Sequence, residues 1–286
     1  MINSIEKKLL NNIIETNKNK SSHWKKHLSE NSDFKNKLSN LGFGSYTSKS
    51  YKDIFHKFLQ KIIFDKEIFK TETFSNYKKI FDQNNRLIDT DTIRHIYTFE
   101  KLKDIINPKK ICIIGDGKIN AILGAHLTYP KAQIFNINLS ETLLNDYLII
   151  QELNTSLKNS IDLVDDVKFK LENKMLYLIP SNLKEFLLDK NIDLFINIAS
   201  FQEMDNKEID RYFRIIKNNK SKLYCCNREY KKLIGNEEIY FDKYPWGNKK
   251  KIFWEDCPWH KKFYALWPPF ICKYNGNIIH CLVEYS

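Results

Sequence analysis

Arginine is nearly missing from this chain: Arg86, Arg94, Arg211, Arg214 and Arg228 are the only arginines among 46 basic side chains. Guanidinium forks read base edges and grip phosphates in pairs of hydrogen bonds, so a formal charge of +11 carried mostly by lysine argues against a nucleic-acid-reading surface. Lys7-Lys8, Lys25-Lys26 and Lys249-Lys250-Lys251 are scattered among acids, as on a solvated face. RNA binding is therefore the weakest reading, and attraction of an anionic small molecule or glycan is the better use of the surplus. No apolar run of about 18 residues occurs, which predicts no membrane span. Met1-Ile-Asn-Ser-Ile-Glu-Lys-Lys lacks the apolar stretch of a secretory leader, so the expected compartment is the cytoplasm. Cys112, Cys225, Cys226, Cys257, Cys272 and Cys281 show no Cys-x-x-Cys spacing and read as reduced core thiols. His-Glu-x-x-His, paired-carboxylate and Gly-x-Ser-x-Gly motifs are absent too, which removes the usual support for metalloprotease and α/β-hydrolase chemistry. No metal is expected.

What is present points to an α/β fold. The 286 residues are 42% hydrophobic, enough for a packed interior. In Lys110-Ile-Cys-Ile-Ile-Gly-Asp-Gly-Lys118 an apolar strand runs into a glycine turn and then a helix over 119–129. That is where such folds hold a cofactor, with main-chain amides near Gly115 and Gly117 and the positive helix end aimed at the ligand. Strands are expected at 110–114, 133–137, 175–179, 193–198 and 222–226 with helices between, hence a doubly wound, mostly parallel sheet. Asp205 and Glu208 have capping-box spacing ahead of Ile209, Tyr212, Phe213 and Ile216. The stretch 271–280 reads as a C-terminal antiparallel hairpin turned on Asn275-Gly276. Residues 1–106 read as a helical N-terminal extension. Ile5, Leu9, Leu10, Ile13 and Ile14 suggest one helix, and Tyr51, Ile54, Phe55, Phe58, Leu59, Ile62 and Ile63 another. A loop spans 40–50 and a last helix 91–106. Such a cap over the sheet domain, 107–286, forms acceptor pockets and contacts between copies in a homo-oligomer.

Four blocks resemble the sugar O-methyltransferase family, which shares the class I S-adenosylmethionine-dependent fold. They are Ile111-Cys-Ile-Ile-Gly-Asp-Gly-Lys118, Ile137-Asn-Leu-Ser-Glu-Thr-Leu-Leu144, Asp193-Leu-Phe-Ile-Asn-Ile-Ala-Ser-Phe-Gln-Glu-Met204 and Leu223-Tyr-Cys-Cys-Asn-Arg228, with Tyr244-Pro-Trp246 as a weaker echo. The resemblance implies methyl transfer from S-adenosyl-L-methionine, leaving S-adenosyl-L-homocysteine, to a sugar or sugar-nucleotide hydroxyl in surface-polysaccharide biosynthesis. It implies that Gly115, Asp116 and Gly117 cradle the cofactor, that Asn138 and Leu139 lie by its ribose, and that Ser181 or Asn182 lies near its adenine. Asn197 and the turn from Ser200 through Gln202 to Glu203 would face the methyl group. This chain departs from the family pattern at Ile113, where an acid is expected, at Ile119, in place of a third glycine, and at Asn138, in place of aspartate. Replacing a carboxylate that accepts two ribose hydroxyls by asparagine weakens binding about tenfold. The alternative is therefore a methyltransferase-like scaffold that has lost catalysis.

Methyl transfer to a hydroxyl needs in-line alignment and a proton acceptor. Glu203, just past the fourth strand, is the first candidate, with a helix-dipole charge as its rival role. His260 in Cys257-Pro-Trp-His260 is the second. Asp256 either orients His260 or is itself the base. Asn227 and Arg228 follow the fifth strand, where Arg228 grips an acceptor anion or forms a rim salt bridge. Tyr244 and Trp246 either stack on a sugar face or pack in the core.

Overall fold

The computed structural model describes residues 4–16, 45–46, 51–153, 155–265 and 267–286. Most of the expected 40–50 loop and the Lys25-Lys26 pair lie outside the described residues. The described residues of the N-terminal region are mostly helical, in α1 (Ser4–Thr16), α2 (Tyr51–Ile63), α3 (Glu72–Gln83) and α4 (Thr90–Lys103), and Ser45–Tyr46, inside the expected loop, pairs antiparallel with Arg86–Leu87. Side-chain caps set two of the starts, since Thr71 Oγ1 accepts from the Phe74 amide at 3.2 Å and Asp89 Oδ1 from the Thr92 amide at 2.7 Å. α4 stops at Lys103, short of the expected 106. The apolar stripe of α2 divides: Leu59 is buried, while Tyr51, Ile54, Phe58 and Ile62 are exposed.

The main sheet has eight strands: β1 (Lys110–Ile114), β2 (Gln133–Asn138), β3 (Ile161–Leu163), β4 (Leu176–Pro180), β5 (Leu194–Ile198), β6 (Lys222–Arg228), β7 (Lys250–Asp256) and β8 (Ile278–Glu284). Their order is β7-β8-β6-β5-β1-β2-β4-β3. Every strand runs in one direction except β8, which is antiparallel to β6 and β7 on either side. Helices α5 (Asn120–Thr128), α6 (Ser140–Glu152) and α7 (Asn206–Asn218) fill the crossovers. This is the class I methyltransferase-like α/β arrangement.

Antiparallel strands close the sheet, but the expected hairpin over 271–280 does not form. Ile271–Lys273 pairs with Lys262–Tyr264 in a separate ribbon, and β8 pairs with β7 and β6. Burial decides the partner: Cys281, Leu282 and Val283 are fully enclosed, which a strand achieves only inside a sheet covered on both faces. The short edge strand β3 has no counterpart in the sequence reading.

Alternation along β1 sends Ile111 and Ile113 to one core and Cys112 and Ile114 to the other. The first core holds α4, α5 and α6; the second holds α7 and an aromatic cluster that includes Phe201, Phe213, Phe241, Tyr244 and Trp246. The Asp205 cap is present, its carboxylate accepting from the Glu208 amide at 2.8 Å, and Ile209, Tyr212, Phe213 and Ile216 are buried behind it.

Packing does not break at residue 106, because Tyr77, Phe99 and Ile122 belong to one apolar cluster. Gly124 is the contact point. A Cβ there would overlap the Phe99 ring and the Tyr77 hydroxyl. Gly124→Ala should therefore destabilise the protein by about 1–3 kcal/mol in urea unfolding, although alanine favours helix by about 1 kcal/mol. A neutral or stabilising result would show that α3 and α4 do not bear on α5.

Candidate functional site

The crossovers after β1 and β5 leave in opposite directions, and a cleft of about 1300 Å³ opens beyond their carboxyl ends. Its volume exceeds the range of about 300–1,000 Å³ typical of one small ligand. Gly115, Asp116, Gly117, Asn138, Leu139, Ser181, Asn182, Ser200, Gln202, Glu203, Asn227, Arg228 and His260 all border it. Four sequence candidates do not. Asn197 is fully buried beneath the floor, and Tyr244 and Trp246 pack in the second core, with Trp246 Nε1 donating to Phe241 O at 2.8 Å. Asp256 is exposed on the edge strand β7, and the chain turns inward only at Cys257.

A ladder of amides fixes the floor. Asn197 Nδ2 donates to Ile114 O at 3.1 Å, and its Oδ1 accepts from the Phe201 amide at 3.1 Å and from Asn227 Nδ2 at 2.8 Å. Asn227 Oδ1 accepts from the Gln202 amide at 3.2 Å, and Gln202 Oε1 from the Arg228 amide at 2.7 Å. Asn197, Gln202 and Asn227 thus hold the ends of β1, β5 and β6 together.

The glycine loop differs from expectation. Gly115 has φ +83°, but its amide donates to Ile137 O at 2.9 Å, and the space where a Cβ would sit is taken by the Ser200 side chain. The positive end of α5 does not stand open either. Asp116 turns back to accept from the Ile122 amide at 2.7 Å, a carboxylate cap supplied by the chain itself. Ile119 adopts a left-handed φ of 53°, a conformation that suits glycine and strains a β-branched side chain.

Behind this loop lies a buried acid pair. Burial pushes the Asp146 carboxyl well above its ordinary value, with the Asp116 charge adding to the effect, and burial also raises Asp116. Asp146 Oδ2 accepts from Asn136 Nδ2 at 3.0 Å. A carboxyl raised in the folded state contributes its full stability below the unfolded value, about 4, and loses it as pH rises through the folded value. Asp146→Asn should thus stabilise the protein by about 1–3 kcal/mol at pH 7.5, and the gain should vanish near pH 4. Denaturant titrations at both pH values check this, and a pH-independent difference would refute it.

The cap supplies one wall through Asp91, Arg94 and His95 of α4. Asp91 meets Lys118 at 3.2 Å and Arg94 at 3.1 Å. Burial alone would raise its carboxyl, but Lys118, Arg94 and His95 outweigh it and hold the group below the usual carboxylate value. On the opposite wall, Glu203 Oε1 meets Lys231 Nζ at 3.0 Å. Lys207, Arg211, Arg228 and Lys232 also border the cleft, together with Asp205 and Glu208, and Arg211 meets Glu208 at 3.2 Å. Burial, reinforced by Arg94, pushes His260 well below the ordinary histidine value, so the ring is neutral at pH 7. Its Nδ1 lies 3.0 Å from Cys257 Sγ and 4.0 Å from Cys226 Sγ.

Several cleft residues were not singled out from the sequence. Glu141, in the first turn of α6, shares a wall with Asn138, and its place three residues after the end of β2 was the available signal. Asn120 Nδ2 and Asn145 Oδ1 belong to cleft-lining residues, are buried, and have no partner among the described residues. Nothing in the sequence marked them, nor Asp91 and Arg94, whose approach depends on how α4 docks.

No family model and no curated protein matches this chain. Among solved structures it is similar to the mitomycin 7-O-methyltransferase MmcR, at 8% identity over 77% of this chain and 70% of that one, with a TM-score of 0.41. Coclaurine N-methyltransferase bound to N-methylheliamine and SAH is similar at 11% identity, covering 88% of this chain and 74% of that one, with a TM-score of 0.41. MtNAS in complex with MTA and tNA gives 11% identity, 97% and 87% coverage, and a TM-score of 0.39.

Proposed function

We propose that the cleft binds S-adenosylmethionine and that the protein transfers its methyl group to a hydroxyl of a sugar or sugar nucleotide. The observation that carries this reading is a cleft of about 1300 Å³ beyond the carboxyl ends of β1 and β5, at the switch point of a class I methyltransferase-like sheet, bordered by Gly115, Asn138, Ser181, Ser200 and Glu203. The volume leaves room for a cofactor and an acceptor together. Asn138 Oδ1 is engaged by the Leu139 amide at 2.9 Å, so Glu141 is the carboxylate on that wall for ribose hydroxyls. Ser181 and Asn182, after β4, would bound the adenine.

When bound, the cofactor supplies an electrophilic methyl on a sulfonium. Glu203 would take the proton of the acceptor hydroxyl, and Lys231 holds the Glu203 carboxylate in place. Lys207, Arg228 and Lys232, which border the cleft, favour an anionic acceptor such as a sugar nucleotide.

S-adenosylhomocysteine at 100 times its dissociation constant should stabilise the protein by about 2.7 kcal/mol, a rise in melting temperature of roughly 5 °C. Glu203→Gln should lower kcat by about 100-fold or more and leave that rise intact. Unchanged turnover in the variant would remove Glu203 as the base. The alternative, a scaffold without catalysis, is favoured by one observation, the Asp116 carboxylate seated at the α5 N-terminus. It would be established by an unshifted melt at millimolar S-adenosylhomocysteine.

A further inference from the structure

Cys226, Cys257 and His260 play no part in the proton transfer above. Cys226 lies near the end of β6, and Cys257 and His260 bracket the Pro258–His260 turn after β7. Their two sulfurs and one ring nitrogen all lie within 4.8 Å of one another. Zinc bonds of about 2.3 Å to sulfur and about 2.0 Å to nitrogen place neighbouring sulfur and nitrogen ligands roughly 3.5 Å apart in a tetrahedron. The observed separations of 3.0 and 4.0 Å straddle that value.

We infer that Cys226, Cys257 and His260 form a binding site for a thiophilic divalent cation, zinc by its chemistry, with the fourth coordination position open to the cleft. Two thiolates and a neutral imidazole offset a divalent charge completely, so the loaded site costs little to bury. A monovalent copper ion would leave one negative charge, and magnesium or calcium would find no oxygen ligand in the set. Cys226 and His260 border the cleft, whereas Cys257 lies behind them, which leaves the cleft side for a water or for an oxygen or sulfur of the acceptor.

The ligands are held before any ion arrives. Pro258 fixes the backbone at the start of the turn, and the His260 amide donates to Cys257 O at 3.3 Å. Arg94 donates from Nε to Trp259 O at 3.3 Å and from Nη2 to Lys262 O at 3.1 Å, gripping the chain on both sides of His260. Trp259 stacks on Tyr97 with ring centres 5.3 Å apart, and the Cys257 amide donates to Ile278 O at 2.7 Å. Such support is what keeps metal ligands oriented.

The site stands whether or not the cleft transfers methyl groups, and its test reads metal directly. The full chain, reduced and stripped of metal, is titrated with Co2+ and separately with Zn2+. About one equivalent should bind per chain, with the thiolate-to-cobalt charge-transfer band and the visible bands of a tetrahedral site, and zinc should displace the cobalt. Cys226→Ser and His260→Gln should abolish the spectrum and the zinc-dependent rise in melting temperature; Cys272→Ser should keep both. His260→Gln alters only the cleft wall and keeps the test decisive if the core cysteine variant fails to fold. No cobalt spectrum in the reduced wild-type chain overturns the proposal, as does a spectrum that survives His260→Gln.

Discussion

The carboxyl ends of β1, β5 and β6 must finish side by side while the chain leaves them in divergent directions. Backbone groups at such a fork lose their strand partners, and a buried orphan costs about 1–3 kcal/mol. Asn197 resolves the fork by donating to Ile114 O and accepting from both Phe201 and Asn227. Its burial beneath the cleft follows, since a side chain that ties three strand ends together cannot also reach a ligand. The positions of Ser200, Gln202 and Glu203 depend on it, because the turn that carries them starts from the Phe201 amide it holds.

The parallel part of the sheet was readable from sequence because each strand is a short apolar run bounded by turn residues, as in 110–114 and 222–226. The C-terminal strands were not. Asn275-Gly276 has the residues of a hairpin turn, and local chemistry predicts that its flanks pair with each other. The enclosed Ile278–Glu284 strand gains more by entering the sheet between β6 and β7, so tertiary burial overrides the turn signal. The cleft residues divide in the same manner. Those at strand ends, Gly115, Asn138, Ser200 and Glu203, follow from topology and were found. Asp91, Arg94 and Asn145 lie on helices and reach the cleft only through helix docking, which no local pattern encodes. Asp256 does not border the cleft because β7 ends with Glu255 and Asp256 both exposed, and the chain turns inward one residue later at Cys257.

Charge is sorted by depth. Lysines lie mostly at the surface, whereas the interior near the cleft encloses the acids Asp116 and Asp146 and the bases Arg94 and Lys184. Burial raises both carboxyls, and the Asp116 charge raises Asp146 further. Asp116 accepts the backbone amides of Lys118 in the loop and of Ile122 in the first turn of α5, which is the role that a bound anion has at other helix starts.

That arrangement explains how the loop tolerates isoleucine at position 119. A left-handed β-branched residue costs about 1–2 kcal/mol, and such strain persists only where neighbours over-determine it. Here the Ile119 side chain is buried in the first core, and the next turn is capped by Asp116. The loop is thus complete without a ligand. Whatever the cleft binds meets a floor whose Gly115 amide and whose α5 N-terminus are already engaged. Affinity must then come from the walls, where Glu141, Lys207, Arg228 and Lys232 are among the bordering side chains. A pocket built in that way selects a ligand through side chains rather than backbone.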